Sequence, residues 1–265
     1  MFEYFSFETA KRGFEFGKTE DSLSIQQVDT GKLLVTLSDG ASTGVFSKNW
    51  SKHIVESIAQ EHVISKESFA AQLTQIRKTF QPTITRPSAL RKFLQEGSYA
   101  TVASVLFESI SSEEKQGMLK LHMLSIGDIE LLGIRPDGSL DFSFPYQSSQ
   151  EFGNVPDLLR SNEKLQIKTP LTIRESECIS SQQNTILLCT DAASEFFLKR
   201  LEEYGQIKDI LTSILHCQTQ WEFTDLMDEY RSNYGMKNDD VAIFLLRKRS
   251  HVAAVEVTSN EVPIS

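Results

Sequence analysis

Short apolar runs that alternate with polar residues predict strands along the chain, and longer stretches have apolar residues at helical spacing. Strands are predicted at Met1–Phe7, Leu23–Val28, Lys32–Ser38, Tyr99–Phe107, Leu119–Ile126, Ile129–Arg135, Ile167–Ile173, Thr185–Cys189 and Val241–Leu246. Helices are predicted at Val45–Val63, Ser65–Phe80, Ala89–Leu94, Ala192–Tyr204, Ile207–Leu215 and Gln218–Asn233. The strands come in hairpins and the helices are grouped, which indicates an α+β fold with antiparallel sheets.

Turn-forming residues separate these elements. Asp29-Thr30-Gly31 and Pro136-Asp137-Gly138 predict hairpin turns, and Gly235 is expected just after the last helix. The stretch Ser143–Arg160 is rich in loop residues and predicts a surface flap or a short helix. We expect one domain over residues 1–250, followed by a polar tail at 251–265.

Charge and cysteine content narrow the class of protein. The net charge of −9 argues against nucleic acid or an anionic membrane as the main partner, and Arg247-Lys248-Arg249 is a short basic strand end. Three scattered cysteines without a CxxC pair are typical of a reducing compartment. No apolar run is long enough to span a membrane and the first residues do not form a signal peptide, so a cytoplasmic protein is expected. The oligomeric state stays open.

Acidic residues lie at the ends of several apolar runs. The four clearest are Asp21, Asp39, Asp191 and Asp239, and Asp128 and Glu195 have similar settings. Because the start of one strand lies beside the end of its antiparallel neighbour, Asp21 and Asp39 are expected close together. Each aspartate could instead have a structural role as a turn residue or helix cap. Asp191 in particular is a candidate for the N-cap of the following helix.

Converging carboxylates require compensation. Two unit charges ~4 Å apart repel by about 4 kcal/mol at an effective dielectric constant of ~20. Two divalent cations would balance four carboxylates, and oxygen ligands without a His or Cys cluster favour Mg²⁺, Mn²⁺ or Ca²⁺ over Zn²⁺. Two such ions can activate a water for attack on phosphate, which needs no protein nucleophile. The chain has no G-x-S-x-G elbow and no P-loop lysine motif.

Six motifs along the chain resemble, in the same order, those of the metal-dependent type 2C serine/threonine protein phosphatases, especially compact bacterial members. They are Thr19-Glu20-Asp21-Ser22, Leu37-Ser38-Asp39-Gly40-Ala41, Gly97-Ser98-Tyr99-Ala100-Thr101, Ser125-Ile126-Gly127-Asp128, Leu188-Cys189-Thr190-Asp191-Ala192 and Asn238-Asp239-Asp240-Val241. In the family they correspond to the Glu-Asp, Asp-Gly, Gly-Ser-Thr-Ala, Gly-Asp-Ser, Ser-Asp-Gly and Asp-Asn motifs. The resemblance covers residues 10–248.

The resemblance implies a four-layer αββα sandwich of two antiparallel sheets flanked by helices. It implies two Mg²⁺ or Mn²⁺ ions held by catalytic aspartates, with Asp39 bridging both ions and the Gly40 carbonyl also coordinating. The implied aspartates are Asp21, Asp39, Asp191 and Asp239. Asp128 and Glu195 match the family's third, weaker metal position.

Three departures from the family pattern affect the expected activity. The family's phosphate-gripping Arg has no clear match, and Lys18 is the nearest cation in the sequence. Ala41 stands where many eukaryotic members have a general-acid His, and Ala192 replaces a usual Gly. The leading hypothesis is a phosphoprotein phosphatase that hydrolyses phosphoserine or phosphothreonine with a two-metal-activated water. The alternatives are a pseudophosphatase that binds a phosphoprotein without turnover, and a purely structural domain whose acids are caps.

Overall fold

The computed structural model describes residues 2–15, 18–84, 86–110, 117–153, 156–166 and 171–248. The strands are β1 (Phe2–Thr9), β2 (Ser22–Asp29), β3 (Lys32–Gly40), β4 (Tyr99–Ser109), β5 (Met118–Ile126), β6 (Glu130–Ile134), β7 (Leu140–Phe144), β8 (Leu159–Arg160), β9 (Arg174–Ser181), β10 (Thr185–Cys189) and β11 (Val241–Lys248). The helices are α1 (Ser47–Glu61), α2 (Lys66–Thr79), α3 (Pro87–Glu96), α4 (Glu163–Gln166), α5 (Asp191–Tyr204), α6 (Lys208–His216) and α7 (Gln220–Asn233).

The strands form two sheets in which every pairing is antiparallel. The first sheet has the order β1-β11-β10-β6-β7, and the second has the order β2-β3-β4-β5-β9 with β8 paired to the start of β4. The hairpin β2–β3 sets Ser22 opposite Ser38, which brings the residue before β2 beside the end of β3. The predicted α+β class with two antiparallel sheets is confirmed.

Strand alternation divides the apolar side chains among three layers of core. In β10, Ile186 and Leu188 face the second sheet, where they meet residues such as Val35 and Leu121. Leu187 of the same strand faces the other way and packs with α5, α6 and α7. Trp50 and other apolar residues of α1 and α2 cover the outer face of the second sheet. The layers are therefore helices, sheet, sheet and helices, which is the predicted αββα sandwich.

Local sequence signals explain where several helices begin and end. Ser65 caps α2 by accepting from the Ser68 amide, and Thr219 caps α7 in the same way through Glu222. Gly235 follows α7 with φ 75°, as predicted for a residue just past a helix end. No helix in the described ranges is long and apolar enough to cross a membrane.

The sequence prediction of a strand was wrong at residues 171–173. The strand predicted at Ile167–Ile173 falls partly on residues 167–170, which lie outside the described residues, and 171–173 form no regular element. The strand begins instead at Arg174, where charged residues alternate on one exposed face. Ser143–Arg160 contains the end of β7, a short 3₁₀ turn at 149–151 and β8, with residues 154 and 155 outside the described part. The predicted tail, residues 251–265, is likewise not described.

Candidate active site

Acidic residues converge at one end of the sandwich because the strands that carry them are antiparallel neighbours. Asp21 precedes β2 and Asp39 is the penultimate residue of β3, opposite Thr101 of β4. Asp128 lies in the turn between β5 and β6, and Asp191 begins α5, separated from β10 by Thr190 alone. The loop 237–240 enters β11 at the same end, because Ile243 of β11 pairs with Cys189 at the end of β10.

All of these acids except Asp21 line an open cavity of about 500 Å³. Its described lining residues are Asp39, Gly40, Ala41, Ser42, Thr43, Thr101, Asp128, Gly153, Pro156, Leu158, Asp191, Lys237, Asp239 and Asp240. The wall therefore combines five carboxyl groups with one ammonium group. A cavity of this size admits a phosphorylated side chain together with bound cations.

Asp21 is almost fully buried, at 3% exposure. The Asp21 amide donates to the Thr19 hydroxyl oxygen, and the Thr190 hydroxyl donates to Asp21 Oδ2 at 3.3 Å. Among the described residues, no group donates a hydrogen bond to Asp21 Oδ1. Burial raises the pKa of Asp21 well above 3.8, and the nearby carboxylates of Asp39, Asp240 and Asp191 raise the pKa further. A buried carboxyl oxygen without a donor is an available cation ligand.

Asp39 lines the cavity from the end of β3. Burial among protein atoms raises the pKa of Asp39 well above 3.8, and the charges of Asp191 and Asp128 add to this effect. The side-chain contact between the two residues raises the pKa of Asp21 and lowers the pKa of Asp39. The two buried carboxyls therefore disfavour carrying two negative charges without a compensating cation.

Gly40 is required by crowding. Gly40 does not have a left-handed backbone conformation, so no turn requires a glycine here. A Cβ at this position would lie 2.8 Å from the carbonyl carbon and oxygen of Ser47 and 2.9 Å from the Glu20 carbonyl oxygen. The absence of a side chain lets the backbone beside Asp39 pack directly against these two segments.

Asp128 and Asp191 have less extreme environments. Burial and the neighbouring Asp191 raise the pKa of Asp128 to about 7, although Lys237 opposes the shift. Burial and the Asp239 carboxylate raise the pKa of Asp191 to about 6, while the Ala192 amide at 2.7 Å and Lys237 lower it. Asp191 is not the N-cap of α5, because Thr190 holds that position. The Asp191 side chain thus contributes to the cavity wall and to the first turn of the helix.

Asp239 and Asp240 occupy different environments although they are neighbours. The Asp239 side chain is 51% exposed, and Lys11 Nζ lies 3.8 Å from its Oδ1. Asp240 is buried, and its two carboxylate oxygens accept from the amides of Lys11 at 2.8 Å and Glu20 at 2.7 Å. Asp240 therefore connects the loop before β11 to the backbone at Lys11 and at Glu20. Asp239, in contrast, stays open to the cavity.

Glu195 is paired with a lysine. Lys237 Nζ lies 2.5 Å from Glu195 Oε2. Burial lowers the pKa of Lys237, but the contact with Glu195 and the charges of Asp191 and Asp128 more than offset that effect, so the pKa is raised. The predicted third metal position at Asp128 and Glu195 thus contains a protein cation.

The predicted phosphate-binding residue lies on the surface. Lys18 Nζ pairs with Glu15 at 2.7 Å, and both side chains are mostly exposed. Lys11 is closer to the strand ends, because its Nζ lies 3.3 Å from Ser42 Oγ and 3.8 Å from Asp239 Oδ1. Lys18 as a phosphate ligand stays a prediction.

The donor set fits a hard divalent cation. It consists of carboxyl groups with raised pKa values and an unpartnered Asp21 oxygen. In the described part of the chain, no three His, Cys, Asp or Glu side chains are arranged to hold a metal ion as they stand.

The sequence did not identify Lys11, Thr190, Lys237 or Asp240 as site residues. Lys11 and Lys237 lie in loops, where isolated lysines are normally solvated. Asp240 directly precedes a buried strand, and that position was the only available signal. The Thr190 hydroxyl accepts from the Ala242 amide at 2.9 Å while it contacts Asp21, a link across 52 residues that local patterns do not contain.

No protein-family model and no curated protein matches the sequence. Solved structures do match the fold. The chain is 11% identical to an S. agalactiae serine/threonine phosphatase, with a TM-score of 0.60 over 94% of this chain and 100% of that chain. It is 14% identical to serine/threonine phosphatase Stp1 from Staphylococcus aureus, with a TM-score of 0.57 over 94% and 96%. RsbX in complex with magnesium is 14% identical, with a TM-score of 0.52 over 92% and 94%. The chain therefore has the fold of these serine/threonine phosphatases, as the resemblance of its motifs predicted.

Proposed function

We propose that this chain is a metal-dependent phosphoprotein phosphatase that hydrolyses phosphoserine or phosphothreonine. The main support is the group of carboxyls that line an open cavity, together with the buried Asp21, one of whose oxygens lacks a donor. The fold of serine/threonine phosphatases adds support by analogy only. The proposed cofactor is Mg²⁺ or Mn²⁺, and the proposed substrate is a phosphoprotein.

The proposed metal ligands are those implied by the motifs: the side chains of Asp21, Asp39, Asp191 and Asp239, and the Gly40 carbonyl. Two divalent cations, when bound, supply the Lewis-acid chemistry that activates water and stabilises charge on the phosphoryl group. The buried position of Asp21 and the crowding at Gly40 preorganise two of these ligands.

Several other residues hold this arrangement. Thr190 orients Asp21 through its hydroxyl, and Asp240 joins the loop before β11 to the backbone of Lys11 and Glu20. The Lys11 ammonium is placed to attract a phosphoryl group at the cavity rim, as a point charge rather than a bidentate fork. Ala41 supplies no proton donor, so the leaving group receives its proton from water.

The test is hydrolysis of p-nitrophenyl phosphate and of phosphothreonine peptides by the full chain, with Mn²⁺ and with EDTA. Wild type should be active with Mn²⁺ and inactive with EDTA, and Asp39→Asn should be inactive in both. Asp137→Asn is the matched control, because Asp137 lies in the β6–β7 turn and bonds only Ser139 among its described neighbours. Activity that persists in EDTA would contradict the proposed metal dependence.

A binding module without turnover is the alternative that the same samples test. Mn²⁺ binding by wild type without hydrolysis of any of these substrates would support a pseudophosphatase. The absence of Mn²⁺ binding would leave only a structural role for the acids.

A further inference from the structure

One protein cation stands inside the acidic cavity. Among the described residues that line it, Lys237 alone carries a positive charge. Its Nζ lies 2.5 Å from Glu195 Oε2, and the two side chains are 45% and 27% exposed. Lys237 therefore differs from an ordinary solvated surface lysine in both its position and its partner.

The backbone on either side of Lys237 is anchored. Met236 is buried, and its amide donates to the Tyr230 carbonyl at 3.2 Å. On the other side, Asn238 Oδ1 accepts from the Arg12 amide at 2.7 Å. Lys237 thus extends from a short segment whose two neighbours are fixed, which restricts where its ammonium group can lie.

The acidic partner is also fixed. Glu195 lies four residues after Asp191 on α5, so the two side chains project from the same face of the helix one turn apart. Glu195 Oε2 is buried and accepts no hydrogen bond from a described group, and its charge is balanced by the ion pair with Lys237. The ammonium therefore lies at an oxygen that could otherwise ligate a cation.

We propose that the Lys237 ammonium takes the place of a third divalent cation beside Asp128, Asp191 and Glu195, and that its removal opens a further cation position there. This inference rests on the proposed function, because it assigns a role within the same site. The ammonium lies against the Glu195 oxygen as an ion pair, and its charge repels a divalent ion from the neighbouring carboxylates. Lys237 is thus a positioning residue that limits how many ions the site takes.

The test is Mn²⁺ titration of the full chain by isothermal calorimetry. Lys237→Met should bind one more Mn²⁺ per chain than wild type. Lys237→Arg keeps the positive charge and should bind the same number as wild type. The double variant Lys237→Met/Glu195→Gln should not gain the additional ion, because the ligand that the lysine occupied is no longer a carboxylate.

Lys120→Met is the matched control. Lys120 also pairs with a glutamate, since its Nζ lies 3.2 Å from Glu177 Oε2, but it is outside the cavity lining. This variant should bind as many ions as wild type. A gain of an ion in Lys120→Met as well would show that any loss of positive charge has this effect, and would overturn the proposal.

Equal stoichiometry in folded Lys237→Met and wild type would also overturn the proposal. If Lys237→Met does not fold, anomalous diffraction from Mn²⁺-soaked wild-type crystals decides the question. A peak between Asp128 and Glu195 contradicts the proposal, and its absence beside peaks at the other aspartates supports it. Failure of the proposed function is a separate result, since the difference in ion count does not depend on turnover.

Discussion

Glu130 and Asp21 are both buried acids at the same end of the sandwich, but their surroundings differ. Glu130 is fully buried at the start of β6, and its Oε2 accepts from the Tyr146 amide at 3.1 Å. Burial raises the pKa of Glu130 to about 9, although backbone hydrogen bonds from Tyr146 and Phe144 partly oppose the shift. Asp21 has a hydroxyl partner on one oxygen, none on the other, and carboxylates as neighbours.

The comparison separates burial from function. Glu130 is neutral at pH 7 and has amide donors, so the protein alone satisfies it. Asp21 and Asp39 lie close to further carboxylates. Protonation of one residue would therefore leave repulsion among the remaining carboxylates. A raised pKa by itself therefore does not identify a cation ligand, and our proposal for Asp21 rests on the unpartnered oxygen and the acidic neighbours as well.

The largest expected difference is in activity. Asp21→Asn should lower hydrolysis of p-nitrophenyl phosphate with Mn²⁺ by about 1000-fold, because it removes a charged ligand worth several kcal/mol of transition-state stabilisation. Glu130→Gln should keep activity within about threefold of wild type, since a neutral side chain replaces one that is neutral at pH 7. The measurement is kcat/KM for the two purified variants and wild type.

A similar decrease in kcat/KM for the two variants would contradict this comparison, because Glu130 would then contribute to catalysis. Circular dichroism of each variant shows whether an activity loss reflects unfolding. Retained activity in folded Asp21→Asn would remove Asp21 from the proposed ligands.

The next prediction concerns stability without metal. The pKa of Asp128 is about 7 in the folded protein against an ordinary 3.8, so the folded state binds this proton more tightly than the unfolded chain does. The resulting stabilisation is complete below about pH 4 and is lost as the pH rises to about 7, and it corresponds to about 4 kcal/mol at most. Burial also raises the pKa of Asp191 to about 6, so the ionisation of Asp191 further lowers the stability of the folded protein as the pH rises.

Urea unfolding in EDTA at several pH values between 5 and 8 measures this effect. Wild type should lose stability as the pH rises, and Asp128→Asn should lose less because its amide does not ionise. The gap between the two should widen from pH 5 to about pH 7 and then level off. A constant gap across this range would show that Asp128 titrates normally in the folded protein.

A smaller effect is expected when Glu130 is truncated. Glu130→Ala should destabilise the protein by about 3 kcal/mol, because it leaves a cavity and deprives the Tyr146 amide of its acceptor. Glu130→Gln should cost less than about 1 kcal/mol, since its carbonyl oxygen still accepts that hydrogen bond. Chemical denaturation of the EDTA-treated variants measures both, and equal costs would mean that the Tyr146 contact contributes little.

Most of the fold could be predicted from the sequence because its signals are local. Buried runs such as Thr185–Cys189 and Val241–Leu246 mark central strands, and Gly235 marks a helix end. The strand at Arg174–Ser181 was missed because its exposed face is charged and its apolar face is weak. Its place at the edge of a sheet, beside β5, is a tertiary property.

The acids of the site could be predicted from the sequence, but their partners could not. Strand ends and antiparallel pairing are enough to bring Asp21 and Asp39 together. Long side chains in loops reach positions that no local pattern specifies, as Lys237 does at Glu195. Lys18 was selected because it is close to Asp21 in sequence, yet Lys11 is closer to Asp239 and Ser42 in the folded chain.

The smallest expected effect distinguishes these two lysines. Lys11→Met should raise KM for a phosphothreonine peptide about fivefold and change kcat less, because it removes one partly exposed point charge that attracts the phosphoryl group. Lys18→Met should leave both parameters unchanged, since Lys18 Nζ pairs with Glu15 on the surface. A rise in KM for Lys18→Met alone would return the phosphate-binding role to Lys18. The KM values of wild type and Lys11→Met should become similar in 0.5 M salt if the attraction is electrostatic, because added salt screens an exposed charge.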